Sequence, residues 1–196
     1  MINKIRFSVL SSIIYSNLIF SNPVYTNFKK YMENSIGSFF RVEYGHSQFG
    51  ESISEKGKIY FKSHDNVIFD NTDQRIFYTK NFIKTINKKN KQIIYDEPLV
   101  DELTIFDFIF SGNYANQFNE ILSDSIYSTF NFDLESFGYT GSLKVHNISG
   151  QPKKISIKGD NSDSIIYIIF ESTLEIQSFK TDTLDTLGYD FIDFRE

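Results

Sequence analysis

The sequence predicts a mainly β domain of the α+β class, built on one large antiparallel sheet, and three observations predict it. First, the chain holds 21 Phe and 12 Tyr against only 3 Pro and 10 Gly, a mixture rich in strand-favouring residues and poor in breakers. Second, short segments rich in apolar and β-branched residues recur along the chain between polar turns, with a clear period of two at 40–44 and 58–62. Third, helical spacing is confined to a stretch near the start and another in the middle. Apolar residues are spread without a gap, so a single domain with a sizeable core is expected.

The elements follow in order. Lys4 and Arg6 precede an apolar run from Phe7 to Phe20 that is interrupted by serines and gives way to Ser21-Asn22-Pro23. The run is too short and too polar to span a bilayer and has the form of a secretory signal peptide, which we assign to residues 1–26, leaving one domain at 27–196. Phe28, Tyr31, Met32 and Ile36 then recur at helical spacing ahead of Gly37, which predicts a short amphipathic helix over 27–37. From Phe39 the period changes to two. Phe40, Val42 and Tyr44 alternate with Arg41 and Glu43, and Ile59 and Phe61 alternate with Lys58, Tyr60 and Lys62. Strands are expected again at 67–69, 76–78, 82–86 and 93–95, separated by polar turns at 71–73 and 87–91.

Pro98 interrupts this meander. Leu103, Phe106, Ile109 and Phe110 fall at helical offsets before Ser111-Gly112-Asn113, and Phe118, Ile121 and Leu122 share a face over 115–122, so two helical segments are expected here. Strands resume at 129–134, 142–145, 154–157, 165–170 and 174–179, with turns at Gly150-Gln151-Pro152 and Gly159-Asp160-Asn161. An aromatic run from Tyr189 to Phe194 ends the chain.

Composition removes several function classes. The formal charge is −5, and about −7 once Lys4 and Arg6 are removed with the signal peptide, so nucleic acid is not an expected partner. Without cysteine there is no disulfide, thiol nucleophile, cysteine-based metal site or site for N-terminal lipidation. His46, His64 and His146 lack metal-ligand spacing and read as exposed histidines, and Asp160-Asn161-Ser162-Asp163 lacks the glycine and glutamate of a calcium loop. Lys88, Lys89 and Lys91 read as a solvated hairpin tip. No nucleophile elbow or phosphate loop occurs, so neither catalysis nor a cofactor or metal is expected. The apolar stripes leave two possibilities open, since a filled barrel interior and one left hollow for a ligand have the same alternation.

Several local stretches resemble the LolA and LolB family of lipoprotein carriers and acceptors. Phe39-Phe40-Arg41-Val42-Glu43-Tyr44 resembles its first strand, and Gly57-Lys58-Ile59-Tyr60-Phe61-Lys62 its Gly-x-aliphatic-aromatic-aliphatic-Lys strand. Thr72 to Tyr78 resembles its turn and aromatic strand, Leu103 to Asn113 its mid-chain helix, and Tyr189 to Phe194 its closing motif. The resemblance implies an incomplete, half-open antiparallel barrel wrapped over helices that form a lid on an apolar cavity. It implies a soluble monomeric carrier in the periplasm that shields the acyl chains of lipoproteins between an inner-membrane exporter and an outer-membrane acceptor. The cavity would be lined by Phe40, Val42, Tyr44, Ile59, Phe61, Ile76 and Tyr78, which alternation places on one side, and the lid would carry Leu103, Phe106, Ile109 and Phe110. Ser63 stands where the family usually has a lid-latching arginine, so that latch does not carry over. The competing expectation is an exported half-barrel that binds a protein partner, or senses a hydrophobic ligand, in the cell envelope.

Overall fold

The computed structural model describes residues 22–48, 51–98, 118–134, 138–159, 165–171 and 185–195. Among the described residues one helix, α1 (Pro23–Asn34), precedes a first meander of strands β1 (Phe39–Gln48), β2 (Glu51–Ser63), β3 (Asn66–Asp70), β4 (Gln74–Thr79), β5 (Ile83–Asn87) and β6 (Gln92–Asp96). A second meander follows, comprising β7 (Phe118–Ser123), β8 (Tyr127–Leu134), β9 (Tyr139–His146), β10 (Pro152–Gly159) and β11 (Ile165–Phe170), and β12 (Asp190–Asp193) closes the order. All twelve strands form one sheet, β12-β6-β5-β4-β3-β2-β1-β11-β10-β9-β8-β7, whose two ends do not pair with each other. Every neighbouring pair is antiparallel except β12 on β6. The architecture is therefore an open, barrel-like antiparallel sheet with a helix across one face, as the sequence predicts.

The first meander begins with a capped helix. Asn22 Oδ1 accepts from the backbone N–H of Val24 at 2.9 Å, and Pro23 occupies the first helical position, where its missing N–H costs nothing. Gly37 leaves the helix at φ +85°, and its N–H donates to the Phe61 carbonyl at 2.7 Å, tying the exit of α1 to β2. Tyr25, Phe28 and Met32 are buried on the side of α1 that faces the sheet.

Register then decides which strand residues lie beneath the helix. Phe40 stands opposite Ile59, Val42 opposite Phe170, and Ile155 opposite both Ile168 and Leu143, so these residues share one face. Together with Phe61, Phe130, Phe132 and Val145 they join the α1 side chains in a single buried cluster. The sheet is thus stitched at its middle, β1 to β11, by residues more than a hundred positions apart.

Three boundaries differ from expectation. α1 begins at Pro23 rather than at residue 27, because Asn22 and Pro23 supply the cap that periodicity alone does not reveal. Residues 118–123 form β7, not part of a helix over 115–122; pairing with β8 along one edge overrides the apolar spacing of Phe118, Ile121 and Leu122. β2 starts at Glu51, six residues before the alternation of Gly57 to Lys62, since its first half projects beyond the core and has little apolar pattern to show. The closing aromatic run contains a short parallel edge strand, with Tyr95 and Phe191 in ring contact at 5.3 Å. Residues 174–179, expected as a strand, and the turn at 160–163 lie outside the described residues.

A polar network fixes the β3–β4 hairpin on the opposite face. Asp70 receives Arg75 Nε at 3.0 Å and Nη2 at 3.1 Å, and Lys88 Nζ at 2.8 Å. Lys88 also donates to the Asn71 carbonyl, so it folds back from the hairpin tip while Lys89 and Lys91 stay exposed. Partial burial works to raise the Asp70 carboxyl, but the hydrogen bonds and charges of Arg75 and Lys88 outweigh it and hold it below its ordinary 3.8. A carboxyl depressed in the folded state stabilises above its unfolded value and loses that contribution as pH falls through the folded one. We expect Asp70→Asn to lower the melting temperature at neutral pH and to converge with the parent well below pH 3.8, a comparison that thermal melts at several pH values will make.

Candidate functional site

The seven cavity residues expected from the sequence lie on one face. The pairs Phe40 with Ile59, Ile59 with Phe69, and Phe69 with Ile76 carry that face across β1 to β4, while Phe61 with Val67 and Val67 with Tyr78 run alongside. Their environments nevertheless differ. Phe40, Val42 and Phe61 are 0% exposed and packed in the cluster beneath α1. Tyr44, Ile76 and Tyr78 are more open and line, with the buried Ile59 that the cluster also holds, an open-mouthed cavity of about 330 Å³ where the same face continues over β3, β4 and β5.

The cavity owes its character to the pleat. Val67, Phe69, Ile83 and Ile168 complete its apolar walls, and Gln74 and Thr85 are its two non-aromatic polar members. Tyr44 remains 37% exposed with its ring 5.8 Å from that of Phe69, and burial together with the charge of Glu55 pushes its hydroxyl above the ordinary tyrosine range. Ile76, Tyr78 and Ile83 are only half-buried, so the wall keeps apolar surface that water still meets. A volume of this size lies at the small end of pockets that hold organic ligands, and walls of this composition suit a hydrocarbon chain better than a charged or strongly polar one.

Val67, Phe69, Ile83, Thr85, Gln74 and Ile168 escaped the sequence reading for two reasons. β3 is apolar at Val67, Ile68 and Phe69 in succession, so alternation could not choose a face there; the register against Ile59 and Phe61 does. Ile168 reaches the site only through the β1–β11 pairing, which no local pattern encodes. The lid residues Leu103, Phe106, Ile109 and Phe110 lie outside the described residues. Ser63 is exposed at the β2–β3 bend, next to a register shift.

Other features point elsewhere. A shallower depression of about 370 Å³ over β7 to β11 is lined mainly by polar side chains, among them Asn119, Asn131, Ser142 and Ser156, and has no continuous apolar wall. His64 is exposed; His46 and His146 are half-buried, and His146 Nδ1 accepts from the Ser149 N–H at 3.2 Å to hold the β9–β10 turn. Among the described residues no group of three or more His, Asp or Glu is placed to hold a metal ion, and no helix is long and apolar enough to cross a membrane.

No family model and no curated protein matches the chain. Solved structures similar to it include a LolA superfamily protein from Nitrosomonas europaea, at 12% identity over 85% of this chain and 96% of that one, with a TM-score of 0.41. An uncharacterized conserved protein from Thermus thermophilus shares 10% identity over 87% and 96% of the two chains, with a TM-score of 0.45. A DUF1329 family protein from Desulfovibrio piger shares 8% over 83% and 95%, with a TM-score of 0.42. At these values the reading that follows stands on this chain's own geometry, an open antiparallel sheet that carries a helix and an apolar cavity side by side on one face.

Proposed function

We propose that the protein is a soluble periplasmic carrier that shields lipoprotein acyl chains between the inner and outer membranes, taking them from an exporter and passing them to an acceptor. The observation that carries this reading is the cavity of about 330 Å³ walled by Ile59, Val67, Phe69, Ile76, Tyr78 and Ile83, which opens at the margin of the packed core and shares Ile59, Val67 and Phe69 with it. Each methylene of an acyl chain left in water costs about 0.8 kcal/mol, so a lipid crosses an aqueous compartment only inside an apolar container. The strand and helix stretches that resemble the LolA and LolB family agree with this, and the export signal at the N-terminus supplies the compartment.

The test uses Ile76, which is central to the cavity wall and only half-buried, so a charge there spares the core. We expect native mass spectrometry of protein purified from its own periplasm to show a bound acylated species. We expect Ile76→Glu to remain folded while binding an acylated peptide at least about tenfold more weakly, because the carboxylate must be desolvated by the incoming chain. Absence of any bound lipid, together with undiminished affinity of Ile76→Glu, would remove the carrier reading.

We infer from the burial of Tyr25 and the Asn22 cap that a signal peptide would be cleaved at or before Asn22, short of the expected 1–26. Tyr25 is 5% exposed and stacks near Phe28 and Phe130, with ring centres 6.0 and 6.3 Å away. Losing it would forfeit roughly 1.5–3 kcal/mol of burial, and losing the Asn22 cap about 1 kcal/mol more. We expect the intact mass of the exported chain to place its first residue at or before Asn22; a mature chain that begins at Asn27 would show that the first turn is dispensable.

A further inference from the structure

The cations of the sheet are confined to one of its faces, although that face also carries Glu43, Asp70 and Asp133. Every lysine and arginine whose strand position is fixed by register lies on the face away from α1, including Lys58 and Lys84 on one half and Lys144, Lys154 and Lys158 on the other. The helix-side positions carry only acids among their charged residues, such as Glu55, opposite Tyr44, and Asp96. This concentration of positive charge occurs in a chain whose formal net charge is −5.

On part of that face the cations are answered by carboxylates: Asp70 takes Arg75 and Lys88, and Glu171 takes Lys56. Lys144 and Lys154 differ. They are direct cross-strand partners on β9 and β10, a like-charged juxtaposition that costs sheet stability, and neither forms an ion pair among the described residues. Each ammonium instead lies over a tyrosine ring, Lys144 at 5.0 Å from the centre of Tyr127 and Lys154 at 5.2 Å from that of Tyr167. The charge of Lys144 acts on Asp124, exposed in the β7–β8 turn, without an ion pair between them.

We propose that this outer face, centred on Lys144 and Lys154, docks on an anionic phospholipid surface. The uncompensated pair calls for negative charge from outside the chain. Cations spread over β1 to β5 and over β9 and β10, rather than converging on one pocket, suit a laterally extended array of phosphates better than a single acidic peptide. Lysine paired with tyrosine is also the combination that tolerates a headgroup region, where a ring takes the apolar side and an ammonium the polar one. The choice of a bilayer as the partner rests on the carrier reading, since a carrier must reach a membrane to load or unload, while the cavity on the opposite face stays uncovered.

The test is co-sedimentation of the full chain with vesicles of phosphatidylcholine alone or mixed with phosphatidylglycerol. Binding is expected only to the mixed vesicles and is lost at high salt, where surface charges are screened. Lys144→Gln with Lys154→Gln removes two cations without creating new charge, keeps the fold by circular dichroism, keeps acylated-peptide binding, and weakens vesicle binding about tenfold or more. Equal binding to both kinds of vesicle, or undiminished binding of the double variant, overturns the proposal. Capture by immobilised polyglutamate without vesicle binding overturns it also, and assigns the face to an acidic protein. Ile76→Glu, which empties the cavity, docks on mixed vesicles as the parent does, so failure of the carrier reading and failure of the docking face are read separately.

Discussion

Phe40→Ala is expected to cost about 3–5 kcal/mol of folding stability, a large part of what a domain of this kind has to lose. Phe40 is 0% exposed and sits where four elements meet. Its ring centre is 5.5 Å from Phe61 of β2, 5.3 Å from Phe170 of β11 and 6.2 Å from Tyr31 of α1, the first two in edge-to-face geometry. Truncation leaves a void bounded by other rings that are themselves locked, so little of it can collapse. Chemical denaturation is the measurement: the midpoint should fall with the slope unchanged, which identifies a loss of stability rather than a change in what unfolds. Ile76→Ala, at the cavity wall, should cost clearly less, because a half-buried side chain leaves less behind. If the two substitutions are equally mild, the division between packed core and open cavity is wrong.

That division is the part of the site that the sequence did not disclose. Alternation in β1, β2 and β4 placed Phe40, Val42, Tyr44, Ile59, Phe61, Ile76 and Tyr78 on a common side, and the register agrees with it. Whether a residue on that side meets α1 or empty space depends on where a helix of twelve residues comes to lie, and no periodicity records that. Phe61 illustrates the consequence. As a strand residue it is indistinguishable from Ile76, yet it is 0% exposed in the central cluster, so Phe61→Glu reports on folding, whereas Ile76→Glu reports on binding. The strands themselves were legible because each hairpin combines a period-two pattern with a turn signal, as at Asn71-Thr72-Asp73, where Asn71 Oδ1 accepts from the N–H groups of Asp73 and Gln74. β7 was misread because an edge strand with Ile121 and Leu122 both exposed lacks the one-sided pattern on which the reading relies.

Gly150→Ala is expected to destabilise by at least about 3 kcal/mol, through two effects that can be measured apart. Gly150 has φ +73°, a backbone conformation that costs any residue with a Cβ about 1–2 kcal/mol. A Cβ there would also lie 2.1 Å from the carbonyl oxygen of Asn27 and 2.6 Å from the nitrogen of Phe28, both backbone atoms of α1 that have no rotamer to escape into. This contact seats the helix: the Asn27 side chain donates to the carbonyls of Asn147 and Ile148 in the same turn, at 3.2 and 3.3 Å. The methyl group must push α1 off the β9–β10 turn or break the turn, and either movement loosens Phe28 and Met32 from the cluster they share with Val145 and Leu143. Gly37→Ala supplies the control, because Gly37 has φ +85° with nothing within 4 Å of its Cβ position, so it carries the conformational cost alone. The excess loss in Gly150→Ala over Gly37→Ala measures how firmly the turn holds the helix on the sheet. It should be accompanied by new binding of a hydrophobic dye as the face beneath α1 opens. Equal melting temperatures for the two variants would mean that α1 is held by its buried side chains alone and that the close approach at Gly150 contributes nothing.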